Sequence, residues 1–302
     1  MNWDDYRYFL AVARSGSLSR AGQQLGVDHA TVSRRIKALE EALGIKLFHR
    51  SPGGYSLTRD GEALVGMAER MESAAVQAEG AFSGSGRESL SGPVRIGVPE
   101  GVAAYIVVEA AQALCERYPK LEIQMIALPQ RFSLAKREAD FAISVSRPQS
   151  GRVKIQKIAD YDLHLYGAKS YLAGHPTVRQ LSDLRRLRGI GYVPDMIFDK
   201  ELDYIPLIDP GFRPHLTSTS VHVQLEAVLN GAGVAIVHDF MAERHPDLVR
   251  VLPEEISFTR TFWSVVHEDY AEVERIRVCV NEIVEHMRKR LRNRPGQAVT
   301  SI

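Results

Sequence analysis

The sequence of 302 residues is poor in cysteine, in long hydrophobic runs and in charge of one sign, and each shortage excludes something. Two cysteines, Cys115 and Cys279, lie far apart, which rules out a disulfide framework and a Cys-based zinc cluster and points to a reducing compartment. Both fall within predicted helices, where buried, inert thiols are expected. The longest plain apolar run, Val102 to Val108, stops at Glu109, far short of the ~20 residues of a membrane span. The opening Met1-Asn2-Trp3-Asp4-Asp5 is acidic where a secretion signal would be basic, so a soluble, cytoplasmic protein with no membrane partner is expected. Lys and Arg total 38 against 37 Asp and Glu, so any charge argument has to be local. Signatures of enzymes are scarce as well. Gly97-Val98-Pro99-Glu100-Gly101 follows a strand and opens a helix, but it lacks the spacing of a dinucleotide fingerprint. There is no phosphate loop, zinc-protease helix or nucleophile elbow. His238 and His245 read as surface histidines rather than a metal pair, and no cofactor or metal is expected.

What is present begins with three short helical segments punctuated by glycine. Trp3, Tyr6, Leu10 and Ala13 form one apolar face, ended by Gly16. Ser17 caps a second helix facing inward through Leu18, Ala21 and Leu25. After Gly26-Val27, Asp28 caps a third, with Val32, Ile36, Leu39 and Leu43 inside and Gly44 at its end. Two short helices joined by a tight turn make a helix-turn-helix pattern. Ile45–Phe48 and Tyr55–Leu57 read as two strands around Pro52-Gly53-Gly54, a wing. On the third helix His29, Ser33 and Arg34 lie away from the apolar set. Arg35, Lys37, Lys46, Arg50 and Arg59 add charge nearby, and residues 1–60 hold nine Lys/Arg against six Asp/Glu. Such a helix fits a DNA major groove, with wing cations on phosphate.

Thr58 caps a longer helix whose Leu64, Ala68, Met71, Ala75, Ala78 and Phe82 form a heptad seam suited to pairing two chains. Residues 83–92 read as a flexible linker. Beyond it, strands alternate with helices. Strands are expected at Val94–Val98, Leu121–Leu128, Asp140–Val145, Leu163–Gly167, Ile190–Tyr192, Leu216–Ser220, Val234–Val237 and Phe262–His267. Helices are expected at Gly101–Arg117, Val221–Gly231 and from about Tyr270 to the end. This is an α/β pattern with a largely parallel sheet.

The run Phe9-Leu10-Ala11-Val12-Ala13, Gly16-Ser17-Leu18-Ser19, Val32-Ser33-Arg34, Leu39-Glu40, Leu43-Gly44, Leu47-Phe48 and Leu57-Thr58 resembles the N-terminal signature of LysR-type transcriptional regulators. Arg137-Glu138-Ala139-Asp140-Phe141-Ala142-Ile143, Tyr171-Leu172, Gly231-Ala232-Gly233-Val234-Ala235 and Trp263-Ser264-Val265-Val266-His267 resemble the effector domain of that family, so the likeness reaches about residue 292. It implies an N-terminal winged helix-turn-helix (all-α with a small β wing) over 1–58 and a dimerising linker helix and hinge over 59–89. An α/β two-lobed effector domain, like a periplasmic solute-binding protein, is implied over 90–295, with a flexible tail at 296–302. Lobe I would take about 92–161 and 263–292, and lobe II about 162–262.

Carried over residue by residue, the likeness assigns base reading to His29, Ala30, Ser33 and Arg34, with Arg50 on the wing. His29 and Ala30 depart from the residues common in the family, which bears on base preference rather than on docking. The implied partners are double-stranded promoter DNA, a small-molecule effector, a second copy of the chain in a dimer or dimer of dimers, and RNA polymerase if the protein activates. Two other classes, a solute-binding receptor and an α/β enzyme fused to a DNA-binding module, fit the C-terminal part alone.

Ligands of open α/β sheets bind beyond the carboxyl ends of the strands. That points to Pro99, Glu100 and Gly101, to Ser144 and Arg147, to Tyr192, to Ser218, Thr219 and Ser220, and to His238 as effector-binding residues. A carboxylate at Glu100 is expected either to favour a neutral or cationic ligand, or one that donates a hydrogen bond to it, or merely to cap its helix and turn away from the cleft.

Overall fold

A computed structural model describes residues 2, 4–51, 54–127, 139–149, 151–197, 199–209 and 211–292, apart from 83–89. Trp3, Pro52, Gly53, the linker stretch 83–89, Leu128, Arg137, Glu138 and the tail at 296–302 lie outside the described residues. The chain divides into two units, Met1–Phe82 and Ser83–Ile302. Among the described residues no helix is long and apolar enough to cross a membrane.

The first unit contains α1 (Asp4–Ser15), α2 (Leu18–Leu25), α3 (His29–Leu43), β1 (Phe48–Ser51), β2 (Gly54–Leu57) and α4 (Arg59–Phe82). Ser17 and Asp28 cap α2 and α3 as their types dictate, and Gly26 and Gly44 close them in left-handed geometry, at φ 69° and 68°. Phe9, Leu10, Val32, Ile36, Leu39 and Leu47 are fully buried in one core shared by the three helices and the start of the wing. The wing hairpin pairs Phe48 with Leu57 and starts at Phe48, three residues later than the apolar run from Ile45 suggests. Glu40 explains the delay. Its buried carboxylate accepts from Lys46 Nζ (2.8 Å) and Leu47 N (2.9 Å), which ties this stretch back to α3 instead of to a strand. Burial pushes that carboxyl up, but the bonds from Lys46 and Leu47 outweigh it and hold it below its ordinary range.

Thr58 caps α4 by accepting from Gly61 N (3.0 Å) and donates to Lys46 O (2.6 Å). The expected seam on α4 is corrected at its start. Leu64 and Ala68 pack onto the unit's own core, and Arg14 binds Glu72 in a two-pronged ion pair at 2.7 and 3.2 Å. Among the described residues, the large apolar side chains left exposed on the helix are Met67 and Met71. The side chains of Ala78 and Phe82 lie outside those described.

The second unit opens with β3 (Ser91–Val98), then α5 (Glu100–Val102), a π turn (Ala103–Val107) and α6 (Val108–Arg117), where one plain helix was expected. There follow β4 (Lys120–Ala127), β5 (Phe141–Ser144), β6 (Val153–Ala168), α7 (Lys169–Ala173), β7 (Gly189–Gly191), α8 (Ile205–Ile208) and β8 (Pro214–Thr217). The chain closes with α9 (Val221–Leu229), β9 (Val234–His238), α10 (Asp239–Ala242), β10 (Leu248–Arg250), β11 (Ser257–His267) and α11 (Glu274–Arg292).

The strands form one nine-stranded sheet in the order β4-β3-β5-β11-β6-β9-β7-β8, with β10 beside β6. It is mixed rather than largely parallel. Parallel pairs β3–β4 and β3–β5 build one lobe, and parallel pairs β7–β8 and β7–β9 build the other. Between them β6 and β11 pair antiparallel from Val153–His267 to His164–Ser257, so both long strands serve both lobes. The sequence hides their length because the register shifts between Phe262 and Trp263, leaving Ile158 unpaired. An extra residue of this kind reverses the in–out alternation partway along a strand. α11 covers the first lobe with Ile276, Val280, Ile283, Met287 and Leu291 inward. Cys279 is buried there as expected, with its thiol pushed up to about 12 chiefly by burial; Cys115, expected to be buried, is exposed.

Candidate nucleic-acid interface and ligand cleft

In the first unit, α3 presents His29, Ala30 and Arg34 to solvent and leaves Ser33 half-buried, while Val32, Ile36 and Leu39 face the core. Asp28 fixes the first turn by accepting from Thr31 N (2.6 Å), and those bonds to the carboxylate hold its pKa below the ordinary value. The cations around the helix divide into two groups. Arg35 is spent on Asp5 (3.2 Å) and lies over the Tyr8 ring, and Lys46 is spent on Glu40. Lys37 pairs with Glu41 at 3.6 Å on the surface. Arg34 has no ion-pair or hydrogen-bond partner among the described residues. Arg50, opposite Tyr55 on the wing, is exposed and lies 5.6 Å over that ring. The separation follows helix geometry: neighbours such as 34 and 35 are about 100° apart around the axis, so one reaches α1 and the other solvent. Exposed Arg20 on α2 is a further cation without an ion-pair partner among the described residues, and the sequence did not single it out.

In the second unit a cavity of about 260 Å³ opens between the lobes. Of the ten residues expected there, it brings together Pro99, Glu100, Gly101, Tyr192, Thr219, Ser220 and His238. Ser144, Arg147 and Ser218 lie outside its wall. Ser144 Oγ donates to Ser146 O (2.7 Å), Arg147 lies over the Trp263 ring, and Ser218 Oγ accepts from Ser220 N (3.1 Å). The apolar part of the wall, Val102, Ala127, Val145, Leu202, Val221 and Phe262, was not anticipated. Val102, Val145 and Val221 each directly follow a residue that was, and that adjacency was the available signal.

The lobes meet across this cavity through Glu100. Its Oε1 accepts from Ser220 Oγ (3.0 Å), and Ser220 in turn caps α9 by accepting from Val223 N (3.3 Å). His222 Nδ1 approaches the same carboxylate oxygen to 3.2 Å without hydrogen-bond alignment. Gly101 permits the approach: a Cβ there would stand 3.0 Å from Met241 Sδ and 3.3 Å from a Val221 methyl, both on the facing lobe. The π turn adds Tyr105, whose ring lies 5.7 Å from that of His222 and whose hydroxyl is 3.3 Å from His245 Nε2.

His238 is buried, contrary to the expectation of a surface histidine. Its ring stacks on Tyr161 at 5.4 Å, and its Nδ1 has no partner among the described residues. Burial, with nearby His222 as a lesser cause, pushes its pKa down to about 4, so the ring is neutral at physiological pH. Burial likewise pushes the Tyr192 phenol up to about 12, assisted by Glu100. The cavity thus offers one carboxylate, a neutral imidazole, hydroxyls and apolar surface. Among the described residues no Lys or Arg lines it, and no group of three or more His, Cys, Asp or Glu could hold a metal.

Residues 3–62 match the family model described as a bacterial regulatory helix-turn-helix protein of the lysR family, and residues 87–288 match the LysR substrate binding domain. The chain is 26% identical to the HTH-type transcriptional regulator CrgA of Neisseria meningitidis, over 95% of this chain and 97% of that protein. It is 27% identical to the HTH-type transcriptional regulator PtxR of Pseudomonas aeruginosa, over 100% and 96%. Among solved structures, that of CrgA from Neisseria meningitidis has a TM-score of 0.60 at 24% identity, covering 95% of this chain and 99% of that one. The full-length virulence activator AphB of Vibrio cholerae has a TM-score of 0.61 at 22% identity, over 95% and 100%.

Proposed function

Because the chain belongs to the LysR family of DNA-binding transcription regulators, in which a helix-turn-helix is joined to an effector-binding domain, we propose that α3 enters the DNA major groove with His29, Ala30, Ser33 and Arg34 toward base edges. Arg50 on the wing then touches phosphate. The observation that carries this reading is Arg34, an exposed cation on the recognition helix with no partner among the described residues, beside an Arg35 already committed to Asp5. Arg34→Ala tests it on a genomic footprint and on random duplex. A larger loss on the specific site supports base reading, and equal losses reassign the residue to phosphate.

The effector of this reading occupies the cleft beside Glu100, Ser220, Thr219, Tyr192 and His238. Its arrival there competes for the Glu100–Ser220 contact that joins the lobes, which is how binding is coupled to shape. The regulator acts without catalysis. Ser220 donates to a carboxylate and caps a helix, so no histidine activates its hydroxyl as a nucleophile. Two copies pair through α4, where Met67 and Met71 are exposed, as a dimer or a dimer of dimers that presents two recognition helices to two half-sites. Sedimentation of Met67→Glu combined with Met71→Glu tests the pairing. A promoter target implies a cytoplasmic protein, and an activator would also touch RNA polymerase.

A further inference from the structure

The cleft has a neighbour in the second lobe. A cavity of about 250 Å³ there includes Ile190, Ile197, Ile205 and Ile236 in its wall, and Tyr192 and Leu202 belong to the walls of both cavities. Sites for small organic ligands commonly run from about 300 to 1,000 Å³. Each cavity alone falls short of that range, and the two together fall inside it. Each wall also holds a residue whose buried polar atom has no hydrogen-bond partner among the described residues: His238 Nδ1 in the cleft and the Tyr204 hydroxyl in the second cavity. Native interiors rarely leave such atoms unsatisfied, and a ligand that supplies the partner removes the cost.

Charge sets the head group. Glu100 is the one formal charge in the described cleft wall, and an ionised carboxylate only accepts hydrogen bonds. In the second cavity Asp203 and Arg213 are both exposed, one of each sign, and the remaining wall is mostly aliphatic. We propose that the two cavities form one site for an elongated, uncharged or cationic amphiphile. An amine or hydroxyl head donates to Glu100, and an apolar body passes Tyr192 and Leu202 into the second lobe. This rests on the effector reading above and adds to it the shape and charge class of the ligand.

The test is titration calorimetry on the full chain with 1-alkylamines, 1-alkanols and alkanoates of four to eight carbons. Amines and alkanols are expected to bind, with affinity rising about fourfold per added methylene, the ratio that ~0.8 kcal/mol of transfer per CH2 implies. Alkanoates of equal length are expected to bind at least tenfold more weakly, and Glu100→Gln is expected to remove that preference. Ile197→Phe and Ile205→Phe, at half-buried positions in the second cavity, are expected to stop the gain with chain length while leaving butylamine binding intact. Intact butylamine binding also shows that the variant is folded. Alkanoates binding as tightly as amines, a length dependence that survives both substitutions, or no binding in any series overturns the proposal. Duplex binding measured on the same preparation separates the two readings: its absence beside length-dependent amine binding counts against the regulator and not against this site.

Discussion

The two units handle polar groups in opposite ways. On α3, Arg34 projects into solvent with no ion-pair or hydrogen-bond partner among the described residues, and His29 is exposed beside the Asp28 cap. In the cleft, Glu100 already accepts from Ser220 and has His222 Nδ1 within 3.2 Å, and His238 is buried and neutral. A surface that reads DNA gains most from free charge, because released counterions supply much of the affinity. A cavity that binds a small molecule gains from fixed, desolvated groups, because only those discriminate. The difference teaches that a cation committed to an ion pair, such as Arg35 on Asp5, and one left in solvent, such as Arg34, can be adjacent in sequence.

The largest expected effect tests whether the units stand apart energetically. Phe9 is fully buried in the core of the first unit, and Phe9→Ala is expected to cost ~3–5 kcal/mol there. Calorimetry should show one early transition and an unchanged later one, with duplex binding lost; a single merged shift would mean the units unfold together.

Next comes pH. His238 has a folded pKa of about 4 against 6.5 for the ordinary imidazole, so between those values the unfolded chain binds more protons than the folded one. Stability is therefore complete above pH 6.5 and is lost as the pH falls toward 4, by about 3 kcal/mol in all. Urea unfolding at pH 7 and pH 4.5 reads this, and His238→Gln is expected to flatten its share of the loss. An unchanged pH dependence in the variant would show that the ring does not carry it.

Arg34→Ala sharpens the comparison from the DNA side. A loss of ~1–3 kcal/mol on the specific duplex, with little change in unfolding midpoint, is expected from gel-shift and melting data. If the midpoint falls instead, Arg34 has a structural role like that of Arg35.

The smallest expected effect is in the cleft. Ser220→Ala removes both the α9 cap and the donor to Glu100, for roughly 1 kcal/mol in urea titrations. Ser220→Thr keeps the hydroxyl and is expected to restore most of it.

Legibility differed between the units for the same reason that their chemistry does. In α2 and α3 each apolar residue, cap and exposed cation lies within a few residues of its partners, so the pattern at three and four spacing reveals core face and solvent face together. Even there, long-range contacts escaped: the turning of Leu64 and Ala68 toward their own core depends on α1 and was read as a pairing seam. The cleft depends on such contacts throughout. Strand ends marked Pro99, Thr219 and His238, but Leu202 and Phe262 join the wall only through the packing of separate segments. Ser144 and Arg147, also at a strand end, were drawn off to Ser146 and Trp263.

By itself the sequence determined the three capped helices, the wing, the face of α3 left to solvent, the alternation of strands and helices, and the apolar stripe of α11, all set by periods and caps a few residues long. The tertiary structure alone decided that the sheet is mixed, that β6 and β11 run on past a bulge through both lobes, and that Glu100 meets Ser220 across 120 positions of chain. It also decided that His238 loses its water. Register across distant strands and the desolvation of a side chain depend on what packs against them, and no local spacing encodes that.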